Sequence, residues 1–141
     1  MNWHSALKQR GLFCMNGKGD VKISNYRKAL RQLEEYMAMP VENNRDRSGI
    51  IQAFEFTFEA FIKSCQWLAQ SRGADCRFPR DALEAAIELE LLDQEDEEGA
   101  LQMLADRNIT SHLYEESLAQ SVFERVVSIY LPLFRKAAAR L

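Results

Sequence analysis

Ile51-Gln52-Ala53-Phe54-Glu55-Phe56-Thr57-Phe58-Glu59-Ala60-Phe61-Ile62-Lys63-Ser64-Cys65-Gln66-Trp67-Leu68 is the stretch on which the fold turns. Ile51, Phe54, Phe58, Phe61, Cys65 and Leu68 recur three and four residues apart, which puts them on one stripe of a long helix. Phe56, Ile62 and Trp67 add apolar surface beside that stripe, enough to meet more than one neighbour. A helix of this kind hides its apolar side only against other helices, so the pattern predicts a bundle. Glu55 and Glu59 fall one turn apart, with Lys63 a further turn on. Two roles suit them: a carboxylate pair for acid–base work, or a solvated face braced by a Glu59–Lys63 pair, the plainer expectation.

The flanking segments carry the same period. On the N-terminal side, Ile23, Tyr26, Leu30, Leu33 and Met37 predict an amphipathic helix closed by Pro40, and Glu42 to Arg47 read as a polar surface loop. Residues 1–20, with Gly11, Gly17 and Gly19 and no sustained period, read as a flexible extension that includes His4; the folded domain is expected over 21–141. On the C-terminal side, Ser71-Arg72-Gly73 stops the long helix and Phe78-Pro79-Arg80-Asp81 opens a third, with Ala82, Leu83, Ala86, Ile87 and Leu91 as its buried residues. The acidic run Asp93 to Glu98 reads as a solvated helix start, since its spacing matches no calcium loop. A short fourth helix carries Leu101, Met103, Leu104 and Ala105. The last carries Leu118, Val122, Val126, Ile129, Leu133 and Ala137, with Phe123, Val127, Tyr130 and Phe134 widening its apolar face and Pro132 interrupting it. With no strand-like alternation anywhere, the expectation is an all-α protein: an antiparallel up-and-down four-helix bundle with an additional short helix.

At 141 residues the chain suits one domain. No apolar run approaches the roughly 18 residues of a membrane helix, so no membrane contact is expected. The N-terminus lacks the pattern of a secretory signal, which makes the cytoplasm the expected location. Cys14, Cys65 and Cys76 have neither disulfide-framework nor zinc spacing, and neither a metal nor a cofactor is expected. A net charge of -3 means that polyanion binding would have to come from a local basic site.

Between the fourth and last helices, Asp106-Arg107-Asn108-Ile109-Thr110-Ser111-His112-Leu113-Tyr114 gathers an arginine, a histidine and a tyrosine in a polar interval. On an unbroken helix Arg107 and His112 would stand about 140° apart, too far round to act on one atom. Asn108, followed by β-branched Ile109 and Thr110, predicts a break there that lets them converge. Glu115 and Glu116 then suit the first turn of the last helix. The plain alternative makes Asp106 and Arg107 a surface pair, His112 a satisfied turn residue and Tyr114 a hydrophobic staple.

Arg107, four residues, His112, one residue and Tyr114 resemble the motif of the HEPN superfamily, in its branch of nucleotidyltransferase substrate-binding proteins. The block from Met103 to Tyr114 is similar to that branch almost throughout, as are Phe54 to Glu59 and Pro79-Arg80-Asp81, so the resemblance runs from about Asn25 to Leu133. The glycine-bearing N-terminal extension and Phe61, where many relatives have tryptophan, depart from the pattern. The resemblance implies a homodimer with two motifs facing one cleft, a metal-independent ribonuclease acting on RNA, and a role as the toxin of a toxin–antitoxin pair. Its partner would be a cognate minimal nucleotidyltransferase antitoxin that silences it by transferring AMP to Tyr114. Arg107 and His112 would then be catalytic, with Asn108 positioning the motif turn or the scissile phosphate and Asp106 orienting a motif side chain. Residue chemistry agrees: histidine titrates near neutrality and can move protons, whereas arginine keeps its charge and its planar fork of donors suits phosphate. Two other functions compete: a non-catalytic substrate-binding subunit of a nucleotidyltransferase, and a helical dimerisation module without cleft chemistry.

Overall fold

The computed structural model describes residues 17–110 and 115–141. Its helices are α1 (Lys18–Ala38), α2 (Asn44–Gln70), α3 (Pro79–Glu88), a 3-10 turn (Gln94–Asp96) leading into α4 (Glu97–Ile109), and a last helix built of α5 (Glu116–Arg125), a π-helical turn (Val126–Tyr130) and α6 (Leu131–Arg140). There is no strand among the described residues. The expected all-α bundle is therefore what forms, and contacts across it give its topology. Lys22 lies by Ser64 and Tyr26 by Phe61, so α1 and α2 are antiparallel. Arg47 meets Gln120, Phe54 meets Tyr130 and Phe61 meets Phe134, so the last helix runs with α2. Asp93 meets Arg140 and Asp106 meets Arg125, so α4 runs against it. Helices α1, α2, α4 and the last helix make a four-helix bundle, with α3 the additional short helix packed on α2 and α4.

The stripe of α2 is buried at every predicted position, and Tyr26, Phe54, Phe61, Tyr130 and Phe134 form an aromatic centre. The Phe54 and Tyr130 rings stack at 5.3 Å, and Tyr26 donates its hydroxyl to the Phe134 carbonyl at 2.6 Å. Burial pushes the Tyr26 hydroxyl far above the usual tyrosine range, so it remains a donor. Phe56 departs from expectation, standing in solvent at 52% exposure.

Four local predictions are corrected. Helix α1 starts at Lys18, inside the segment expected to be extension, because Gly19 lies beneath the Trp67 indole where no side chain fits. Gly19 is a contact glycine, not a breaker. Residues 44–47 belong to α2, whose N-cap Asn43 accepts the Asp46 N–H at 2.9 Å; the polar run is a capped helix start. Asn108 does not end α4, which continues through Ile109 to a cap at Thr110. On the last helix the buried positions are Ala119, Val122, Val126, Tyr130, Leu131, Leu133, Phe134 and Ala137, so Val122, Val126, Leu133 and Ala137 lie as expected while Ile129 is exposed. Pro132 lacks an N–H and crowds the preceding turn, and the π turn answers this by widening, with Leu131 N–H bonded back to the Val126 carbonyl. That extra residue carries Ile129 off the buried stripe.

Helix α4 is clamped to the last helix at both ends. At its start, Lys136 Nζ lies 3.1 Å from Asp93 Oδ2 and 2.8 Å from Asp96 Oδ2, and Arg140 Nη1 lies 2.9 Å from Asp93 Oδ1. The acidic run thus docks on the last helix instead of being merely solvated. At its end, Asp106 is 2% exposed and takes a bidentate pair from Arg125, with Nε–Oδ2 at 2.6 Å and Nη2–Oδ1 at 2.9 Å. The Tyr130 hydroxyl also donates to it.

Both ends of the clamp are open to test. Removing a buried carboxylate strands the guanidinium it neutralises, so Asp106→Ala is expected to lower unfolding free energy by about 3 kcal/mol in urea titrations near neutral pH. Arg140 and Lys136 draw the Asp93 carboxyl down to about 2 from its ordinary 3.8. A lowered acid stabilises above its ordinary value and loses that contribution as pH falls toward the folded one. The stability gap between wild type and Asp93→Asn is therefore expected to persist at neutral pH and close between pH 3.8 and about 2. Denaturant midpoints across that range check it, and the gap will be small because the pair is solvent-screened.

Candidate functional site

Arg107 occupies the last turn of α4, where a cation complements the negative end of the helix dipole. Its neighbour Asp106 is held inward by Arg125 and Tyr130, and consecutive helical residues point about 100° apart. That rotation aims Arg107 at α2. Its Nη2 donates to Glu59 Oε1 at 2.6 Å, and its Nη1 lies 3.7 Å from Glu55 Oε2. Nη1 also donates to Thr110 Oγ1 at 3.3 Å, whose own hydroxyl donates to the Arg107 carbonyl at 2.8 Å. The Arg107 side chain keeps 28% exposure. A guanidinium has five N–H donors, so these contacts fix its plane and leave donors over.

The paired glutamates hold Arg107, a role that their spacing did not reveal. Sequence reasoning noted their one-turn separation but had no way to see which helix would lie across them. Arg125 and Tyr130 were missed as polar partners because both sit in a run that otherwise reads as apolar. Hydrogen bonding to Asp106 raises the Arg125 guanidinium, and burial followed by the same carboxylate pushes the Tyr130 hydroxyl up. At neutral pH both are therefore donors to Asp106. Asp106 itself faces the core and reaches the motif only through the backbone it shares with Arg107. The surface pair of Asp106 with Arg107 does not form, since each points to a different helix. Asn108 is exposed one residue beyond Arg107.

Residues 111–114 join the end of α4 to Glu115, the N-cap of α5. His112 and Tyr114, and with them the expected convergence on Arg107, lie outside the described residues. The arrangement assembled around α4 is a partly exposed cation, oriented by two carboxylates, immediately ahead of the histidine and tyrosine in the chain.

Residues 21–141 match the family described as nucleotidyltransferase substrate binding protein like. A crystal structure of a Thermus thermophilus protein is 35% identical and superposes with a TM-score of 0.73, over 82% of this chain and 97% of that one. A tri-AMPylated Shewanella oneidensis HEPN toxin, solved in complex with an MNT antitoxin, has a TM-score of 0.71 at 18% identity, over 89% of this chain and 97% of that one. A mutant of the toxin–antitoxin pair MntA–HpeT gives 0.70 at 17% identity, over 86% of this chain and 95% of that one. No curated protein matches the chain. No helix among the described residues is long and apolar enough to cross a membrane. The bundle shares the fold of these proteins, and the match over 21–141 makes the chain a member of the nucleotidyltransferase substrate binding protein like family.

Proposed function

We propose that the protein is a HEPN-type toxin, a homodimeric endoribonuclease that works without metal and is neutralised when a cognate minimal nucleotidyltransferase transfers AMP to Tyr114. The observation that carries this reading is Arg107, oriented by Glu59 and Glu55 yet still exposed, one short interval ahead of His112. In RNA cleavage a base takes the 2'-hydroxyl proton, the 2'-oxygen attacks phosphorus to give a cyclic phosphate, and an acid protonates the departing 5'-oxygen. His112 moves the proton in one of these roles and Arg107 stabilises the charge on the phosphoryl oxygens. One histidine cannot be base and acid at the same moment, and a twofold dimer supplies the second. Val127, exposed on the last helix, supports a surface for that dimer. Glu55 and Glu59 act as positioning residues, Asp106 sets the rotation of α4, and Asn108, exposed, positions the motif turn or the scissile phosphate.

For silencing, the Tyr114 oxygen attacks the α-phosphorus of ATP, pyrophosphate leaves and the phenol gives up its proton. The ester adds bulk and negative charge beside Arg107, where it competes with RNA phosphate. The AMPylated Shewanella oneidensis toxin in complex with its antitoxin supports this regulation here. One observation favours the rival reading, a non-catalytic subunit of the nucleotidyltransferase: two carboxylates already balance the Arg107 charge.

Expression without any partner separates the two readings. Wild type is expected to arrest growth and fragment total RNA, and His112→Ala to do neither; a harmless wild type would sink the ribonuclease reading. After co-expression with the nucleotidyltransferase, intact mass is expected to rise by one or more AMP units. Loss of that rise in Tyr114→Phe identifies the acceptor, and a rise that survives the substitution rejects Tyr114.

A further inference from the structure

A second arginine is buried at the same end of the bundle. Arg47, in the first turn of α2, is 9% exposed, yet it has no carboxylate within ion-pair distance among the described residues. Residues 1–16 and 111–114 contain no aspartate or glutamate, so they offer no counter-charge either. Its fork meets two neutral acceptors: Nη1 donates to Gln120 Oε1 at 3.0 Å and Nη2 to Asn44 Oδ1 at 3.2 Å. Its Nε is buried without a hydrogen-bond partner among the described residues. The nearest acid in sequence, Asp46, is committed to the Glu42 N–H at 3.0 Å. Gln120 is held in turn by Glu124, its Nε2 donating to Oε1 at 3.3 Å, which leaves its oxygen for Arg47.

A buried, hydrogen-bonded but uncompensated guanidinium is costly as a purely structural device, because neutral residues of similar size would do the same packing without the desolvation. The two amide oxygens stand where anionic oxygens would bind more strongly. Asn44 is exposed and Gln120 half-buried, so both can swing aside at the rim. The position is specific. Arg107 precedes the segment carrying His112 and Tyr114, and Gln120, the residue Arg47 grips, lies one turn beyond the start of α5 that follows it. Along α2, Arg47 stands eight and twelve residues from Glu55 and Glu59, about 12 to 18 Å.

We propose that Arg47 is a second phosphate-binding group, taking a backbone phosphodiester of the RNA strand some nucleotides away from the one at Arg107, with Gln120 and Asn44 yielding their places to its oxygens. This rests on the ribonuclease reading above. It gives the site reach along a single strand: Arg47 binds and aligns RNA without taking part in proton transfer.

The test is anisotropy of a labelled 2'-O-methyl oligoribonucleotide on full-length His112→Ala protein, with and without Arg47→Met, over a salt series. Losing one phosphate contact is expected to weaken binding about tenfold and to lower the slope of log affinity against log salt by about one. No binding by His112→Ala at all would defeat the ribonuclease reading together with this proposal; binding untouched by Arg47→Met would defeat this proposal alone. Gln120→Met separates phosphate binding from a staple between α2 and α5. A staple predicts that it weakens RNA binding as much as Arg47→Met, whereas a phosphate site predicts equal or tighter binding. Should Arg47→Met fail to fold, Arg47→Lys keeps the charge and is expected to preserve the salt slope while weakening affinity several-fold, and wild-type affinity in that variant would overturn the proposal.

Discussion

Asp106 carries a charge in the interior, where a carboxylate survives only if its partners replace the water it has lost. Arg125 supplies two of those contacts and Tyr130 a third, all from the last helix. Because all three come from one side, the carboxylate fixes the rotation of α4 as well as its distance from its neighbour. A helix whose phase is fixed at one residue is fixed at the next, so Arg107 has to face α2. The orientation of the candidate site is thus set one residue upstream of it, by a group that never reaches solvent.

Glu55 and Glu59 complete the placement from the opposite side. Two acids beside a cation proposed to bind phosphate look counterproductive, since they reduce its pull on an anion. Their gain is in geometry: a long, flexible side chain is held in one plane, so it has less rotamer freedom left to lose in any further contact. Weaker attraction is exchanged for better aim.

How much of this was legible in the sequence depended on whether a residue's partner was local. The α2 stripe was legible because its period of three and four survives folding unchanged, and all six predicted positions are buried. Pro40, Gly73 and Pro79 marked helix boundaries for reasons internal to their own backbones. The last helix misled because a proline inside an apolar run announces trouble but not its remedy; only the fold shows a π turn, and with it the exchange of Ile129 for Tyr130 in the core. Gly19 misled because what it makes room for, Trp67, is far away in sequence. At the candidate site Arg107 and Asp106 stood out by residue type and by family resemblance. Glu59, Arg125 and Arg47 owe their roles to helices crossing at particular heights, which no spacing along one segment encodes.

The π turn also settles a matter of length. The two points gripped, Asp96 at the N-cap of α4 and Asp106 within it, are ten residues apart, and the two residues that grip them, Lys136 and Arg125, are eleven apart. Two regular helices of equal pitch would fall out of step by one residue between the clamps, and the wider turn absorbs that residue. The last helix thus works as a vernier against α4. One half is phased to the acidic turn, the other to Asp106, and the adjustment between them lies beside the one position, Pro132, where a regular hydrogen bond was already forfeited.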